Sequence, residues 1–258
     1  MALYSVNRHR SNPGVIMREK ARALYTDTLF QNSFYMMLAT GTMAAAGFVF
    51  WLLVARLYSA EEVGVASTLI SAMNFISYAA LLGFNSAFIR YLPKSKSRNE
   101  HIDTGLLLVC CAGLLSAGLY AAVAPFLVPR LGLLHEHWYF GVAFVLLATG
   151  SAVNLVTDSV YIAYRRSFYN FLIDGVVAGG TQIVLAVALA ALAAFGIFAA
   201  SGAGVTMAML CSVVILIKKF KYVPQLKVDR TALREVMRFS FGDYLANMWN
   251  IVPTIVLP

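Results

Sequence analysis

Ionisable and amide side chains interrupt several long apolar segments of this 258-residue chain. Such groups are costly inside a bilayer, so they usually face the interior of a helix bundle or a wet cavity. The residues predicted to line a substrate cavity are Arg90, Asn85, Asn74, Asp158, Asp174, Asn154 and Gln182. The charged members lie toward the same end of their apolar segments, which predicts a polar vestibule at that end of the bundle.

Two interpretations of these side chains stay open. Asp158 and Asp174 either line the cavity or pair with Arg165 and Arg166, which lie in the short polar stretch between them. Arg90 either contacts an anionic substrate or extends its side chain to the lipid headgroups. The asparagines and the glutamine either bind a ligand or form hydrogen bonds between helices.

Catalytic and metal-binding patterns are missing from the sequence. No nucleotide-binding loop or dinucleotide fingerprint is present. His135 and His137 form an isolated pair that is more typical of a solvated turn than of a metal site. The three cysteines lie inside apolar segments without metal-ligand spacing. The chain is therefore predicted to be no enzyme and to use no cofactor or metal, so that an ion gradient, the membrane potential or the substrate gradient supplies the energy.

Composition places the chain in a membrane. Apolar residues make up 60% of the sequence and charged residues 12%, whereas a soluble domain is about 25% charged. So few charges cannot cover a surface that faces water. The fold class predicted from this composition is all-α, a polytopic transmembrane helical bundle.

Seven apolar segments are long enough to cross a bilayer, which requires about 20 residues. They are 33–57, 63–91, 104–128, 138–164, two helices within 170–217, and 239–258. The glycine-rich stretch 195–204 is predicted to contain the turn that divides 170–217. The predicted organisation is a basic amphipathic lead-in (1–32), a six-helix lobe (33–217), a basic linker (218–238) and the start of a second lobe (239–258), whose helix is expected to be truncated.

Positive charge alternates with the apolar segments and predicts the orientation. Of the 20 lysines and arginines, 18 precede the first, third, fifth or seventh segment, and only Arg56 and Arg130 lie in the other loops. Basic residues are retained on the cytoplasmic side during insertion. The N-terminus is therefore predicted to be cytoplasmic. The basic stretches before the first and seventh segments both suit amphipathic helices on the inner leaflet. Their similarity reflects either an internal repeat or a feature common to any basic segment that leads into a span.

Four stretches resemble a known family. The sequence GFVFWLLVARLYSAEEVGVAS (47–67) is similar to the end of the first helix and the start of the second in polysaccharide flippases. These flippases belong to the multidrug/oligosaccharidyl-lipid/polysaccharide exporter superfamily. LGFNSAFIRYLP (82–93) resembles the end of their second helix. FGI (195–197) and RFSFG (238–242) also fit the family in chain order.

The resemblance implies two six-helix lobes around a V-shaped cavity, of which this sequence supplies one lobe and a seventh helix. It implies a flippase that moves polyprenyl-diphosphate-linked oligosaccharide across the bacterial inner membrane by alternating access. Arg90 would then contact the diphosphate, and Asp158 and Asp174 would contact sugar hydroxyls or couple protons or sodium. The implied partners are the lipid-linked oligosaccharide, membrane lipids, a polysaccharide polymerase and a chain-length regulator, with no nucleic acid.

Two other functions compete with this one. The first is a drug/cation antiporter of the same superfamily, which is disfavoured because 33–57 contains no carboxylate to line a cavity. The second is a membrane scaffold of an envelope-assembly complex that transports nothing. In a scaffold, neutral substitution of Arg90, Asp158 and Asp174 would leave transport unchanged.

Overall fold

The computed structural model describes residues 28–95, 97–127, 131–132, 134 and 138–225. This part of the chain contains helices and connecting turns but no strand, which confirms the predicted all-α class. The principal helices are α1 (Thr28–Leu57), α2 (Ala60–Ala80), α3 (Phe84–Tyr91), α4 (Arg98–Leu127), α5 (Trp138–Ala163), α6 (Phe168–Ala188) and α7 (Ala193–Phe220).

Six of these helices are long and apolar enough to span a membrane: α1, α2, α4, α5, α6 and α7. Large apolar side chains cover the outside of the bundle; Met37, Phe48 and Leu115, for example, are each more than 70% exposed. A water-soluble bundle would bury such residues, whereas lipid solvates them. The chain is thus a multi-pass membrane protein, as its composition predicted.

The second span is shorter than predicted and does not reach residue 91. Helix α2 ends at Ala80, where Leu82 and Gly83 both have positive φ values, 49° and 82°. A helix cannot continue through two consecutive left-handed residues. The amphipathic helix α3 follows as a separate element, and it buries Phe84 and Phe88 on one face.

The turn between the fifth and sixth spans was predicted in the wrong place. It lies at residues 189–193 instead of 195–204, and Ala193 has a φ of 50°. The predicted glycines lie inside α7, where they allow close helix packing. A Cβ at Gly202 would lie 2.9 Å from the Leu147 side chain, and one at Gly204 would lie 2.8 Å from the Ala178 carbonyl oxygen.

Helix α5 forms the centre of the bundle, because α2, α3, α4 and α7 all pack around it. Helix α1 packs mainly on α6. Gly179 of α6 permits this approach, since a Cβ there would be 2.7 Å from that of Ala46. Close approach through small residues is the usual way to pack helices in lipid, where no hydrophobic force drives association.

Antiparallel packing brings basic residues to one end of the bundle, here called the basic end. It comprises the start of α1, the start of α4, the turn 164–167 and the end of α7. Most of the predicted lead-in, the linker beyond residue 225 and the segment 239–258 lie outside the described residues, as do Lys96, Arg130, His135 and His137.

A carboxylate and amide cluster beside a basic pocket

Two aspartates and two asparagines meet between α5 and α6. Asn154 Nδ2 donates to Asp174 Oδ1 at 2.8 Å and to Asp158 Oδ2 at 3.3 Å. Since one nitrogen reaches both carboxylates, their bonded oxygens are no more than about 6 Å apart. Asn170 Nδ2 donates to the Asp158 carbonyl oxygen at 3.3 Å. We call these four side chains the carboxylate cluster.

The same spacing on two helices builds the cluster. Asn154-Leu-Val-Thr-Asp158 and Asn170-Phe-Leu-Ile-Asp174 both read Asn-x-x-x-Asp, which places amide and carboxylate on one helix face. Asn154, Asp158 and Asp174 were predicted as site residues, whereas Asn170 was missed. The repeated Asn-x-x-x-Asp spacing is the signal that could have identified it.

Part of this hydrogen-bonding capacity is unused. The Oδ1 atoms of Asn154, Asp158 and Asn170 are all buried without a described partner. Asn154 is 4% exposed and Asn170 is 8% exposed. Among the described residues Asp158 and Asp174 form no ion pair with Arg165 or Arg166, which does not support the alternative of pairing across the turn. Buried polar groups nearly always have partners, so an unsatisfied group requires an explanation.

A pocket of about 310 Å³ lies at the basic end, beside the turn that joins α5 to α6. It is lined by Thr28, Gln31, Asn32, Tyr35, Tyr164, Arg165, Arg166, Ser167 and Phe168. Among these described lining residues two are arginines and none is acidic, so the pocket favours an anion. Ser167 also lines the pocket, and its buried hydroxyl has no described hydrogen-bond partner. Sequence analysis assigned the arginines to a loop and did not predict the pocket.

Local backbone geometry positions the arginines. Arg166 N donates to Tyr161 O at 2.9 Å and Arg165 N donates to Ile162 O at 3.0 Å, which is the hydrogen-bond pattern of a Schellman C-cap. Arg165 takes the left-handed position with a φ of 55° that glycine normally fills. A larger residue in this conformation is strained, and such strain is concentrated at functional sites.

Two contacts join the turn 164–167 to α1 and to the start of α4. Asn32 Oδ1 of α1 accepts a hydrogen bond from Ser167 N at 2.9 Å, which joins α1 to the turn. The guanidinium carbon of Arg98 lies 5.7 Å from the Tyr164 ring centre. Burial raises the pKa of the Tyr164 hydroxyl, while Arg98 opposes the shift. Tyr164 therefore stays a neutral phenol at physiological pH.

The remaining predicted site residues lie on α2, on α3 and in the later part of α6. Arg90 is exposed on α3, with its guanidinium carbon 5.6 Å from the ring centre of Tyr91. Asn85 is half-buried on the same helix, Asn74 is exposed on α2 and Gln182 is half-buried on α6. None of the four lines the basic pocket. Their predicted contact with substrate stays a prediction.

Another buried carboxylate, Asp103 of α4, was not predicted. It is 2% exposed and accepts hydrogen bonds from Tyr222 Oη and from Gln225 N, the latter at 2.8 Å. Burial and the hydrogen-bonded Asp103 carboxylate together raise the pKa of Tyr222. These bonds attach the segment after α7 to the start of α4.

Six apolar spans with a polar cluster inside and a basic pocket at one end define a polytopic membrane protein. In a comparison with known families, residues 29–252 match the family described as polysaccharide biosynthesis protein. That match covers most of the chain, which therefore belongs to this family. No curated protein and no solved structure matches it.

Proposed function

We propose that this protein is a flippase for polyprenyl-diphosphate-linked oligosaccharide in the bacterial inner membrane. It is a transporter rather than an enzyme, and its N-terminus lies in the cytoplasm. The basic pocket carries the proposal, because two adjacent arginines at the end of a membrane bundle suit a diphosphate. Guanidinium groups bind phosphate oxygens through paired, charge-assisted hydrogen bonds.

The cost of moving a charged head group through the bilayer supports this assignment. A sugar diphosphate cannot cross hydrocarbon unaided, since desolvating its charges is prohibitively costly. A pocket at the membrane edge that offers Arg165 and Arg166 replaces part of the lost hydration. The lipid tail stays in the bilayer while the head group enters the protein. Alternating access then exposes the head group to the other side.

Membership of the family supports the substrate class. Polysaccharide assembly requires lipid-linked sugars to change sides of the membrane, and a polytopic bundle suits that step. Partners that follow from this role are the lipid-linked oligosaccharide, membrane lipids, a polysaccharide polymerase and a chain-length regulator.

The test is translocation in proteoliposomes that contain a fluorescent polyprenyl-diphosphate oligosaccharide, with a membrane-impermeant quencher outside. The double variant Arg165→Gln/Arg166→Gln should lower the initial rate by at least about 10-fold, since it removes two charge-assisted contacts. The matched control is Lys218→Gln/Lys219→Gln, an adjacent exposed pair at the same end but outside the pocket. An equal loss in both variants, or unchanged rates in the arginine variant, would refute the pocket assignment.

A further inference from the structure

The basic pocket is lined by two chemically different sets of side chains. Arg165 and Arg166 form the cationic set. The other set includes two aromatic rings, Tyr35 of α1 and Phe168 of α6, together with the amide of Asn32. Arginines are sufficient to bind phosphate oxygens, and aromatic rings add nothing to such a contact. A diphosphate therefore explains the arginines but leaves the aromatic and amide side chains of the pocket without a role.

Helical spacing brings the α1 residues of the pocket together. Thr28, Asn32 and Tyr35 are four and three residues apart, so they share one face of α1. All three line the pocket. The hydrogen bond from Ser167 N to Asn32 Oδ1, at 2.9 Å, holds this face of α1 against the turn 164–167. The face is thus positioned by the fold itself.

The same hydrogen bond fixes the orientation of the Asn32 amide. Ser167 N can only donate, so the Asn32 atom that faces it is the oxygen, and the NH₂ group points away from this contact. Asn32 Nδ2 and Tyr35 Oη have no hydrogen-bond partner among the described residues. Both side chains are half-buried. A ligand that donates and accepts hydrogen bonds would satisfy both groups.

Tyr35 and Phe168 form an aromatic pair in the lining of the pocket. Their ring centres are 5.2 Å apart and their planes are inclined by 76°. In this edge-to-face arrangement the two rings do not cover each other's faces completely, and Phe168 is 43% exposed. Aromatic residues at a membrane boundary commonly contact lipid headgroups. These two rings instead share a pocket with two arginines.

A sugar ring matches this combination of groups. It carries C–H groups on its faces, which pack on aromatic rings, and hydroxyls around its edge, which bond to amides and phenols. An isoprene unit of the lipid would also pack on the rings. It would, however, leave the Asn32 NH₂ group and the Tyr35 hydroxyl desolvated without partners, which is costly. The lining therefore favours a sugar over the lipid.

The volume of the pocket limits which part of an oligosaccharide enters it. The pocket measures about 310 Å³, whereas small-molecule sites range from about 300 to 1,000 Å³. A volume at the lower limit suits a fragment of the head group and excludes a whole oligosaccharide. With the diphosphate on the arginines, the nearest fragment is the sugar bonded directly to it.

We propose that Asn32, Tyr35 and Phe168 form a subsite for the sugar ring that is bonded to the diphosphate. The ligand class rests on the proposed function. Arg165 and Arg166 bind the charge common to every lipid diphosphate, and the subsite distinguishes one first sugar from another. Selection of the oligosaccharide then depends on the start of α1 and the start of α6.

Equilibrium binding to the full chain in detergent tests the subsite. The probes are short-chain polyprenyl diphosphates that carry glucose, galactose or N-acetylglucosamine, together with the polyprenyl methyl diphosphate, which has the same charge and no sugar. The wild type should bind at least one sugar probe about 10-fold more tightly than the methyl probe. Equal dissociation constants for all four probes would overturn the inference.

Variants localise the preference. Tyr35→Ala should reduce the ratio to about twofold or less and leave the Kd of the methyl probe unchanged, while Tyr35→Phe, which keeps the ring, should retain most of the ratio. Phe48→Ala is the matched control, because this α1 ring is 71% exposed and lies outside the pocket. If Tyr35→Ala fails to fold, Phe168→Ala decides the question. Equal weakening of all four probes would contradict a sugar contact.

The arginine variant separates the subsite from the proposed function. Arg165→Gln/Arg166→Gln should weaken the methyl and sugar probes alike and so preserve their ratio. Translocation in proteoliposomes without a sugar preference in binding would retain the flippase and overturn the subsite. A sugar preference without translocation would retain the subsite and refute the flippase.

Discussion

Asp103 and the Asp158–Asp174 pair are two acidic regions in the same bundle, and they differ in how their oxygens are satisfied. Both carboxylate oxygens of Asp103 accept protein hydrogen bonds, from Tyr222 and from the backbone of residue 225. In the other region three oxygens of Asn154, Asp158 and Asn170 are buried without a partner among the described residues.

This difference separates a satisfied carboxylate from an incompletely satisfied cluster. A buried carboxylate whose acceptors are filled by its own chain stabilises the fold, because removing a partner would leave a desolvated charge. A cluster with unfilled buried oxygens carries a desolvation cost that its described partners do not offset. The two regions should therefore respond oppositely to neutral substitution.

The largest effect is expected at Asp103. Replacement by asparagine places an amide NH₂ group where at least one of the donors, Tyr222 Oη or Gln225 N, now bonds. Losing charge-assisted hydrogen bonds in a buried site should lower the free energy of unfolding by about 3 kcal/mol. The loss would appear as a lower Tm in detergent, with Glu100→Gln, at the exposed start of the same helix, as control.

A smaller loss, about 2 kcal/mol, is expected for Tyr222→Phe, which removes only the hydroxyl donor. Tyr78→Phe is the control, because this ring is exposed on α2. An equal Tm for the two variants would mean that the Asp103 contact contributes nothing.

Tyr222 also predicts a pH dependence. Its pKa in the folded protein is raised above the ordinary value of about 10, because burial and Asp103 both disfavour the phenolate. The folded state therefore holds this proton more tightly than the unfolded state. Its contribution is complete below pH 10 and is lost as the pH rises beyond that value. The wild-type Tm should fall above pH 10 more steeply than that of Tyr222→Phe.

Hydrophobic segment length predicted most of the fold, because lipid demands about 20 apolar residues per span. It could not place the turn after α6. Glycines in a membrane sequence mark either turns or close helix contacts, and only packing decides between them. Gly202 and Gly204 serve contacts with Leu147 and α6, whereas the turn itself uses alanines and leucines.

The site was predicted in part. Unfavourable burial of charge identified Asp158 and Asp174, and polarity identified Asn154. Two features required the structure: Asn170, which sequence analysis took only as the start of a span, and the joining of the turn 164–167 to α1 through Asn32. Both depend on long-range contacts between helices, which a single sequence does not display. Arg90 lies exposed on a separate helix, and both its contact with substrate and its extension to the lipid headgroups stay predictions.

The smallest effect, with the opposite sign, is expected at the carboxylate cluster. Asp158→Asn removes one of two like charges that share a donor in a desolvated site. This should raise the free energy of unfolding by about 1 kcal/mol, because neutral groups are easier to bury than an incompletely compensated pair. A loss comparable to that of Asp103→Asn would instead make Asp158 a structural carboxylate and remove the distinction between the two regions.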